Sequence, residues 1–398
     1  MAEFDITLYG ATGFTGRQGA RYLGNAASGV RFAIAGRAPE RLEALAAETG
    51  AAAIIEADSS RPESVREMVR RSRVVATTAG PFSRHGTPVV EACVGQGVDY
   101  VDITGEPSWV RDMIIAHHDR AAAAGVRIVA FCGFDSVPSD IGTLLAVDHL
   151  RREHGEGTRS VSGSFNGRGG LNGGTMATIV AGAERGELRA LVKDPFLLNP
   201  EGSQGDQQSA PDRRSVEWDP DHGAWLTPFI MAPINTRVVR RSAALAAADG
   251  ESYGEGFRYD EAFDRSSRTK AWAMAAGTAA FLKLLASPRG RAALRKLGPK
   301  PGQGPSERKM DAGFFRARFI ATSETGRKVV STLSRRGDPG NRVTTATLCE
   351  SALLLALTPR AELPGGSGRG GVLTPATALG TPLVDRLRAA EFDIAIRG

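Results

Sequence analysis

Thr7-Leu8-Tyr9-Gly10-Ala11-Thr12-Gly13-Phe14-Thr15-Gly16-Arg17 joins the end of a β-rich run to the start of a helical pattern through three glycines spaced G-x-x-G-x-x-G. Glycine at these points lets the chain turn tightly and brings backbone amides and a helix N-terminus up to a pyrophosphate with no Cβ in the way. Gly10, Thr12, Gly13, Phe14, Thr15 and Gly16 are therefore the first cofactor-binding candidates. The flanking strand and helix carry as much of this reading as the glycines, because three glycines alone also make a purely structural turn.

Working outward, short β-rich runs alternate with helical patterns. Strands are expected at Ile6 to Tyr9, Arg31 to Ala35, Ala53 to Glu56, Val74 to Thr78, Tyr100 to Ile103 and Arg127 to Phe131. Helices are expected near Arg17 to Leu23, Pro39 to Glu48, Glu63 to Arg71, Thr87 to Gly95 and Trp109 to Ala124. This rhythm predicts an α/β chain whose residues 1–136 form a doubly wound parallel sheet of the Rossmann type. After Phe134 the rhythm changes, and residues 137–371 read as an inserted mixed α/β domain that takes the substrate. Within it Asn199 to Gly223 is a polar loop, either a functional lid or poorly ordered. The tail, 372–398, carries a helix at Pro382 to Ala390 and a strand at Phe392 to Ile396 and is expected to return to the first domain.

Ligands of such sheets sit outside the carboxyl ends of the strands. An NAD enzyme would place an acid at the end of strand two, but this chain has Ala35-Gly36-Arg37, with Arg41 a helical turn later. A guanidinium there suits a 2′-phosphate, so NADP is favoured over NAD; the competing reading is a solvated surface arginine. Asp58 suits an adenine contact or a loop cap. Thr78, Gly80 and Pro81 after strand four, Thr104-Gly105-Glu106 after strand five and Gly133 to Pro138 after strand six are expected around the nicotinamide. Asp135 and Ser136 are catalytic candidates or simply cap the helix that starts at Pro138, and His85 is a candidate acid. His117 and His118, with no third metal ligand at suitable spacing, read as surface residues. A second glycine cluster, Gly167 to Thr175, follows a strand and precedes a helix; its amides suit a cofactor or a substrate carbonyl, or it is an interdomain turn. None of the five tyrosines is followed by Lys four residues on, so the Tyr-x-x-x-Lys proton relay is absent.

Composition narrows the classes. The 398 residues are 41% hydrophobic and 24% charged, which is ordinary for a globular protein and unlike a disordered or membrane-embedded one. Three scattered cysteines support neither a disulfide framework nor a cysteine zinc site, and a reducing cytoplasm fits them. No apolar leader segment opens the sequence, and the most apolar stretch, Ala271 to Ala286, is 16 residues long with Lys283 inside it, whereas a membrane span needs about 20. The net charge of +6 is concentrated between Ser287 and Lys309, where seven basic residues face only Glu307. That is a local feature and not the basic face with interleaved aromatics of a nucleic-acid binder. Beside the apolar stretch it suits an acidic protein partner or an anionic membrane surface; the plainer reading is a buried helix followed by a solvated basic loop.

TLYGATGFTGR, the AGR of strand two, TTAGPF, YVDITGE, GFDSVPSD, NGGT and the closing GGVLTPATALGTPLVDRL together resemble the saccharopine dehydrogenase-like oxidoreductases, and most nearly the actinobacterial trans-acting enoyl reductases. The resemblance implies an NADP-binding Rossmann domain with an inserted domain. It also implies reduction of a carbon–carbon double bond on an acyl chain or thioester held by the carrier domain of a polyketide synthase, hence a role in lipid biosynthesis. Two other readings stay open: an NADP-binding sensor without catalysis, and an amino-acid dehydrogenase acting on a saccharopine-like adduct.

Overall fold

Strand β1 (Phe4–Tyr9) is buried along almost its whole length and is paired in parallel with β2 (Phe32–Gly36) on one side and β4 (Ser72–Thr77) on the other. Burial of residues on both sides of the strand, Thr7 included, fits a strand covered on both faces. With β3 (Ala53–Glu56), β5 (Asp99–Asp102), β6 (Arg127–Val129) and β13 (Gly371–Leu373) it forms a seven-stranded parallel sheet in the order β13-β6-β5-β4-β1-β2-β3. The structure is a computed structural model and describes residues 2–26, 29–187, 191, 193–203, 212–300 and 302–398.

The expected helices are present: α1 (Phe14–Ala26), α2 (Pro39–Thr49), α3 (Pro62–Arg70), α5 (Thr87–Gln96) and α6 (Pro107–Ala123), with a single extra turn, α4 (Phe82–His85). Proline stands in the first turn of α2, α3, α5 and α6, where its missing N–H costs no helical hydrogen bond. Helix α7 (Val137–His154) then leads into a second sheet, ordered β14-β12-β11-β7-β10-β9-β8. Its strands are β7 (Thr158–Arg168), β8 (Glu217–Asp219), β9 (Ala224–Pro228), β10 (Arg258–Arg265), β11 (Phe314–Ser323), β12 (Lys328–Arg336) and β14 (Asp393–Arg397). The helices of this part are α8 (Gly173–Glu184), α9 (Ala232–Ala248), α10 (Arg268–Ala286), α11 (Pro288–Leu297), α12 (Glu307–Asp311), α13 (Thr344–Leu357), α14 (Pro375–Ala378) and α15 (Gly380–Ala389).

Helix α13 is buried from Thr344 to Ala356 because it packs on β1, β4 and β5 while also meeting α1 and α15. Helix α7 packs on β11 and β12. One hydrophobic core therefore runs from Ile6 and Leu8 of the first sheet through Leu348 and Ile141 to Phe319 and Leu333 of the second.

Several expectations need correction. The tail divides: β13 extends the first sheet, but β14 pairs antiparallel with β12 of the second, so the last strand does not return to the first domain. Its alternate residues Ile394 and Ile396 pack on the core shared by both sheets. The loop expected over Asn199 to Gly223 contains strand β8, and of the rest residues 204–211 lie outside the described residues. The basic segment after Ser287 is largely helical, as α11 and α12, and Arg291 and Arg295 both face Glu184. Helix α10 is not a buried helix: of its 19 residues only Ala271 and Leu285 are buried, and Trp272 is 53% exposed. His117 is buried and His118 accepts from the Val372 amide at 3.2 Å, because α6 packs against β13.

Candidate functional site

Gly10 has φ of +82°, a left-handed conformation that only glycine adopts without strain, and a Cβ there would lie 2.8 Å from the Ala79 amide nitrogen. A Cβ on Gly16 would overlap the Gly10 carbonyl oxygen. Gly13 differs, since its Cβ would meet only that carbonyl oxygen at 3.2 Å and otherwise points into open space. Two of the glycines thus shape the turn, and the third keeps open the place where a ligand approaches.

This turn forms one end of a cavity of about 2170 Å³ that carries Gly10, Thr12, Gly13, Phe14, Thr15, Arg37, Arg41, Thr78, Gly80, His85 and Asp135 on its wall. Arg41 Nη2 and Arg17 Nη1 donate to the Thr12 carbonyl at 3.2 and 2.9 Å, which fixes the turn, and Thr78 Oγ1 donates to the Gly10 carbonyl at 3.2 Å. Arg37, at the end of β2, has no ion-pair partner among the described residues. His85 Nδ1 lies 2.8 Å from Ser59 Oγ, and burial, followed by the charge of Arg37, holds its imidazole below the usual histidine range. His85 is therefore a neutral neighbour of Arg37, at the β2 and β3 end of the cavity.

Four expected site residues do not reach the cavity. Gly16 lies beneath the turn, and Pro81, whose bond to Gly80 is cis, lies behind Gly80. Asp58 accepts from the Ser60 amide and hydroxyl at 2.9 Å each, which holds its carboxyl below the usual range; it is a loop cap. Ser136 is buried and its hydroxyl donates to Asn235 Oδ1 at 3.1 Å. Nor does it cap α7, which begins without a side-chain cap.

Asp135, one residue before, behaves differently. It is half-buried on the cavity wall, has no hydrogen-bond partner among the described residues, and withdrawal from water pushes its carboxyl up to about 6. Behind it, Asn235 Nδ2 donates to Glu261 Oε1 at 2.7 Å, and Glu261 Oε2 accepts from Ser139 and Tyr259 at 2.7 Å each. Burial pushes Glu261 up to about 8. The start of α7, and Asp135 with it, is thus tied to α9 and β10. The sequence reading missed this network, along with α9 and β10 themselves.

Expected neighbours from strand five divide as well. Gly105 lines the cavity, whereas buried Glu106 accepts from the Phe82 and Ser83 amides at 2.6 and 3.2 Å and pairs with Arg185. The second glycine cluster is on the wall through Gly167, Gly169, Gly170 and Gly174. It is held by Asp338, which accepts from the Gly170 amide at 2.5 Å, and by Asn172, which accepts from the Thr175 amide at 3.0 Å. The Gln303 carbonyl accepts from the Gly173 amide, and the Gly302 carbonyl accepts from Arg17, so residues 302–304 bridge the two glycine turns. The rest of the wall has an apolar part, Phe134, Phe165, Phe229, Ile230, Phe263 and α10 from Trp272 to Ala279, and a charged part, Glu187, Asp212, Arg213, Arg214, Arg265 and Lys270.

Proteins named trans-acting enoyl reductase in Mycobacterium ulcerans and Mycobacterium leprae are each 38% identical to this chain, covering 97% and 98% of it and 96% of their own lengths. The chain belongs to the trans-acting enoyl reductase family. A Mycobacterium tuberculosis relative, whose name marks the same activity as provisional, is 41% identical over 98% of this chain and 97% of its own. Residues 6–129 match the family described as the saccharopine dehydrogenase NADP binding domain. The apo saccharopine dehydrogenase of Saccharomyces cerevisiae superposes with a TM-score of 0.56 over 98% of this chain and 99% of its own at 14% identity, a likeness of fold alone. This trans-acting enoyl reductase family member is accordingly an NADP-dependent oxidoreductase. No helix among its described residues is long and apolar enough to cross a membrane.

Proposed function

We propose that the chain reduces the conjugated double bond of an enoyl thioester, presented on a carrier arm, with Asp135 as the acid. The observation that supports this most is the single cavity, in which the glycine turn and Arg37 share one space with the aromatic wall Phe165, Phe229 and Phe263. A drug-sized ligand needs roughly 300–1,000 Å³, so about 2170 Å³ takes a dinucleotide and an acyl chain together.

Such a reduction needs a hydride at one carbon and a proton at its neighbour. NADPH, when bound, supplies the hydride. Gly13 leaves room for its pyrophosphate against the N-terminus of α1, and Arg37 takes the 2′-phosphate. Asp135, protonated below about pH 6 and without a hydrogen-bond partner among the described residues, holds the proton at a carboxyl oxygen on the same wall. The Ser136, Asn235 and Glu261 network keeps that carboxyl in position. His85, beside Arg37, belongs with the cofactor's adenosine half and not with the acid.

The exposed residues of α10, with Arg289 and Lys296 of α11, which form no ion pair among the described residues, make an apolar and basic surface beside the cavity, suited to an acidic carrier domain. The assay is NADPH oxidation with carrier-bound enoyl thioesters, set beside amino-acid and oxo-acid pairs. Turnover with the thioesters alone is expected. Turnover with the amino-acid pair would favour the saccharopine-type reading, and tight NADPH binding with no oxidation under any condition would favour a sensor.

Cofactor choice gives a further expected result. Arg37→Asp should weaken NADPH binding roughly tenfold to a hundredfold, the worth of one charge-assisted hydrogen bond, while NADH binding changes little. Fluorescence titration with both nucleotides measures it; an equal change in the two affinities would remove Arg37 from the 2′-phosphate.

A further inference from the structure

We infer that helices α10 and α11 rest on an anionic membrane surface, with their outer sides in the headgroup layer and the cavity behind them. The inference does not depend on the thioester reduction. It assigns to a bilayer a surface whose charge alone would also suit a carrier domain.

Between Ser267 and Ser306 the chain has eight basic residues and no carboxylate. Arg291 and Arg295 are answered by Glu184 of α8, and Arg268 lies over the Trp225 ring at 5.7 Å. The other five, Lys270, Lys283, Arg289, Lys296 and Lys300, are exposed and form no ion pair among the described residues.

These cations flank apolar residues that nothing in the fold covers. From Ala271 to Ala286 the only charged residue of α10 is Lys283. Ala271, Met274, Thr278, Phe281 and Leu285, spaced by three and four, make its inner stripe and are buried or half-buried. The residues between them, where a surface helix ordinarily carries its polar side chains, are exposed and apolar, and a helix apolar on every side is ordinarily buried. The cavity accounts for part of this exposed side, Trp272 and Ala276 included, but Ala280, Leu284 and Ala286 are not on its wall. Helix α11 packs against α10 through Ser287, which ends one helix and caps the other, and there Ala292, Ala293 and Leu297 are exposed beside Arg289 and Lys296. Leu297, at 84%, is the most exposed large apolar side chain among the described residues.

Charge and shape together select what covers this surface. A second copy of the chain would set the same cations against each other across a two-fold contact. An acidic carrier domain would answer the charge, but lysine is depleted where protein meets protein, and side chains as exposed as Leu284 and Leu297 would need pockets fitted to them. A bilayer needs no fitted pocket. Its headgroup boundary takes apolar side chains while lysine and arginine keep their charges among the headgroups, and anionic lipids supply the carboxylates' missing charge. No helix among the described residues is long and apolar enough to cross a membrane, so α10 and α11 lie on the surface and do not span it. Since α10 also borders the cavity, one helix then separates the bilayer from the space that the acyl chain fills.

The test is co-sedimentation of the full chain with phosphatidylcholine vesicles and with vesicles of equal parts phosphatidylcholine and phosphatidylglycerol. Binding to the anionic vesicles is expected to be roughly tenfold tighter or more, and to weaken as salt is raised. Each lysine or arginine at such a surface is worth roughly fivefold, so Lys283→Gln/Arg289→Gln/Lys296→Gln should lose roughly a hundredfold. Leu284→Ser/Leu297→Ser keeps every charge and changes only exposed positions, and it should lose roughly tenfold or more. The three native cysteines are buried, so an Ala293→Cys variant takes an environment-sensitive dye at that position alone, and its emission should shift to the blue on the anionic vesicles. Equal binding to the two kinds of vesicle, binding that the leucine variant keeps in full, or a dye whose emission does not move would overturn the inference. So would a carrier domain, or a second copy, whose binding depends on Leu284 and Leu297 while the vesicles stay unbound. Every one of these readings is taken without substrate, so the thioester reading stands or falls separately, on its own turnover assay.

Discussion

Gly13→Val is expected to abolish detectable NADPH binding while the protein keeps its melting temperature within a few degrees. The three glycines of the turn have different duties, and only Gly13 separates cofactor binding from folding. Its Cβ meets only the Gly10 carbonyl oxygen, at 3.2 Å, so the turn must give by a few tenths of an ångström, far less than Gly10 or Gly16 would require, and the side chain stands on the cavity wall. The loss is that of at least two charge-assisted hydrogen bonds to the pyrophosphate, roughly a hundredfold or more in affinity. Gly16→Ala should do the opposite and damage the fold first, because its methyl overlaps the Gly10 carbonyl. Fluorescence enhancement of NADPH together with thermal melting distinguishes the two, and a Gly13→Val protein that still enhances NADPH fluorescence would mean the pyrophosphate lies elsewhere.

Asp135→Asn carries the second large effect, a fall in kcat of roughly a hundredfold to ten-thousandfold, the usual worth of a positioned acid. The pH dependence gives the sign. A carboxyl raised to about 6 is protonated below that pH, so the wild-type rate should be level at low pH and fall tenfold per unit as pH rises through about 6, while the residual rate of the variant should not follow this curve. Stability should move the same way. Because the folded-state pKa lies above the unfolded value, the group favours the folded state at low pH and that contribution is lost as pH rises through about 6; the stability of the neutral asparagine variant relative to the wild type should therefore grow up to about pH 6 and stay level above it. A wild-type kcat that is flat between pH 5 and 8 would return the proton to another donor.

What the sequence revealed follows from how local each signal is. The glycine turn and the strands of the first sheet were legible because a turn that admits no Cβ and strands buried on both faces leave their mark within a few residues. Arg37 was legible for the same reason, by standing one residue beyond a strand where an acid is otherwise expected. Helix α9 left no such mark. Its Arg237, Arg240 and Arg241 break any apolar stripe, yet all three are buried, with Arg237 on Asp212 and Leu191, Arg240 on Pro195 and Tyr259, and Arg241 on Leu198 and Val372. The partners are carbonyls and a carboxylate that only the folded chain brings near, so apolar periodicity could not find the helix. Glu261 was missed on the same ground, since RYDEAFDR looks like a charged surface strand until Ser139, Tyr259 and Asn235 surround its carboxylate. The apolar helix α10 misled in the other direction: its composition suggested a core, but most of its residues are exposed and border the cavity.

The outermost strands β13 and β14 both come from the last part of the sequence, one finishing each sheet. While residues 371–397 are still on the ribosome, β6 and β12 are each left with a bare hydrogen-bonding edge, and bare edges recruit strands from other chains. Each sheet receives its last strand only after all its other strands have been made, so the growing chain depends in the interval on whatever shields those two edges. A truncation before Gly371 would make that exposure permanent and should yield inclusion bodies instead of a smaller soluble protein.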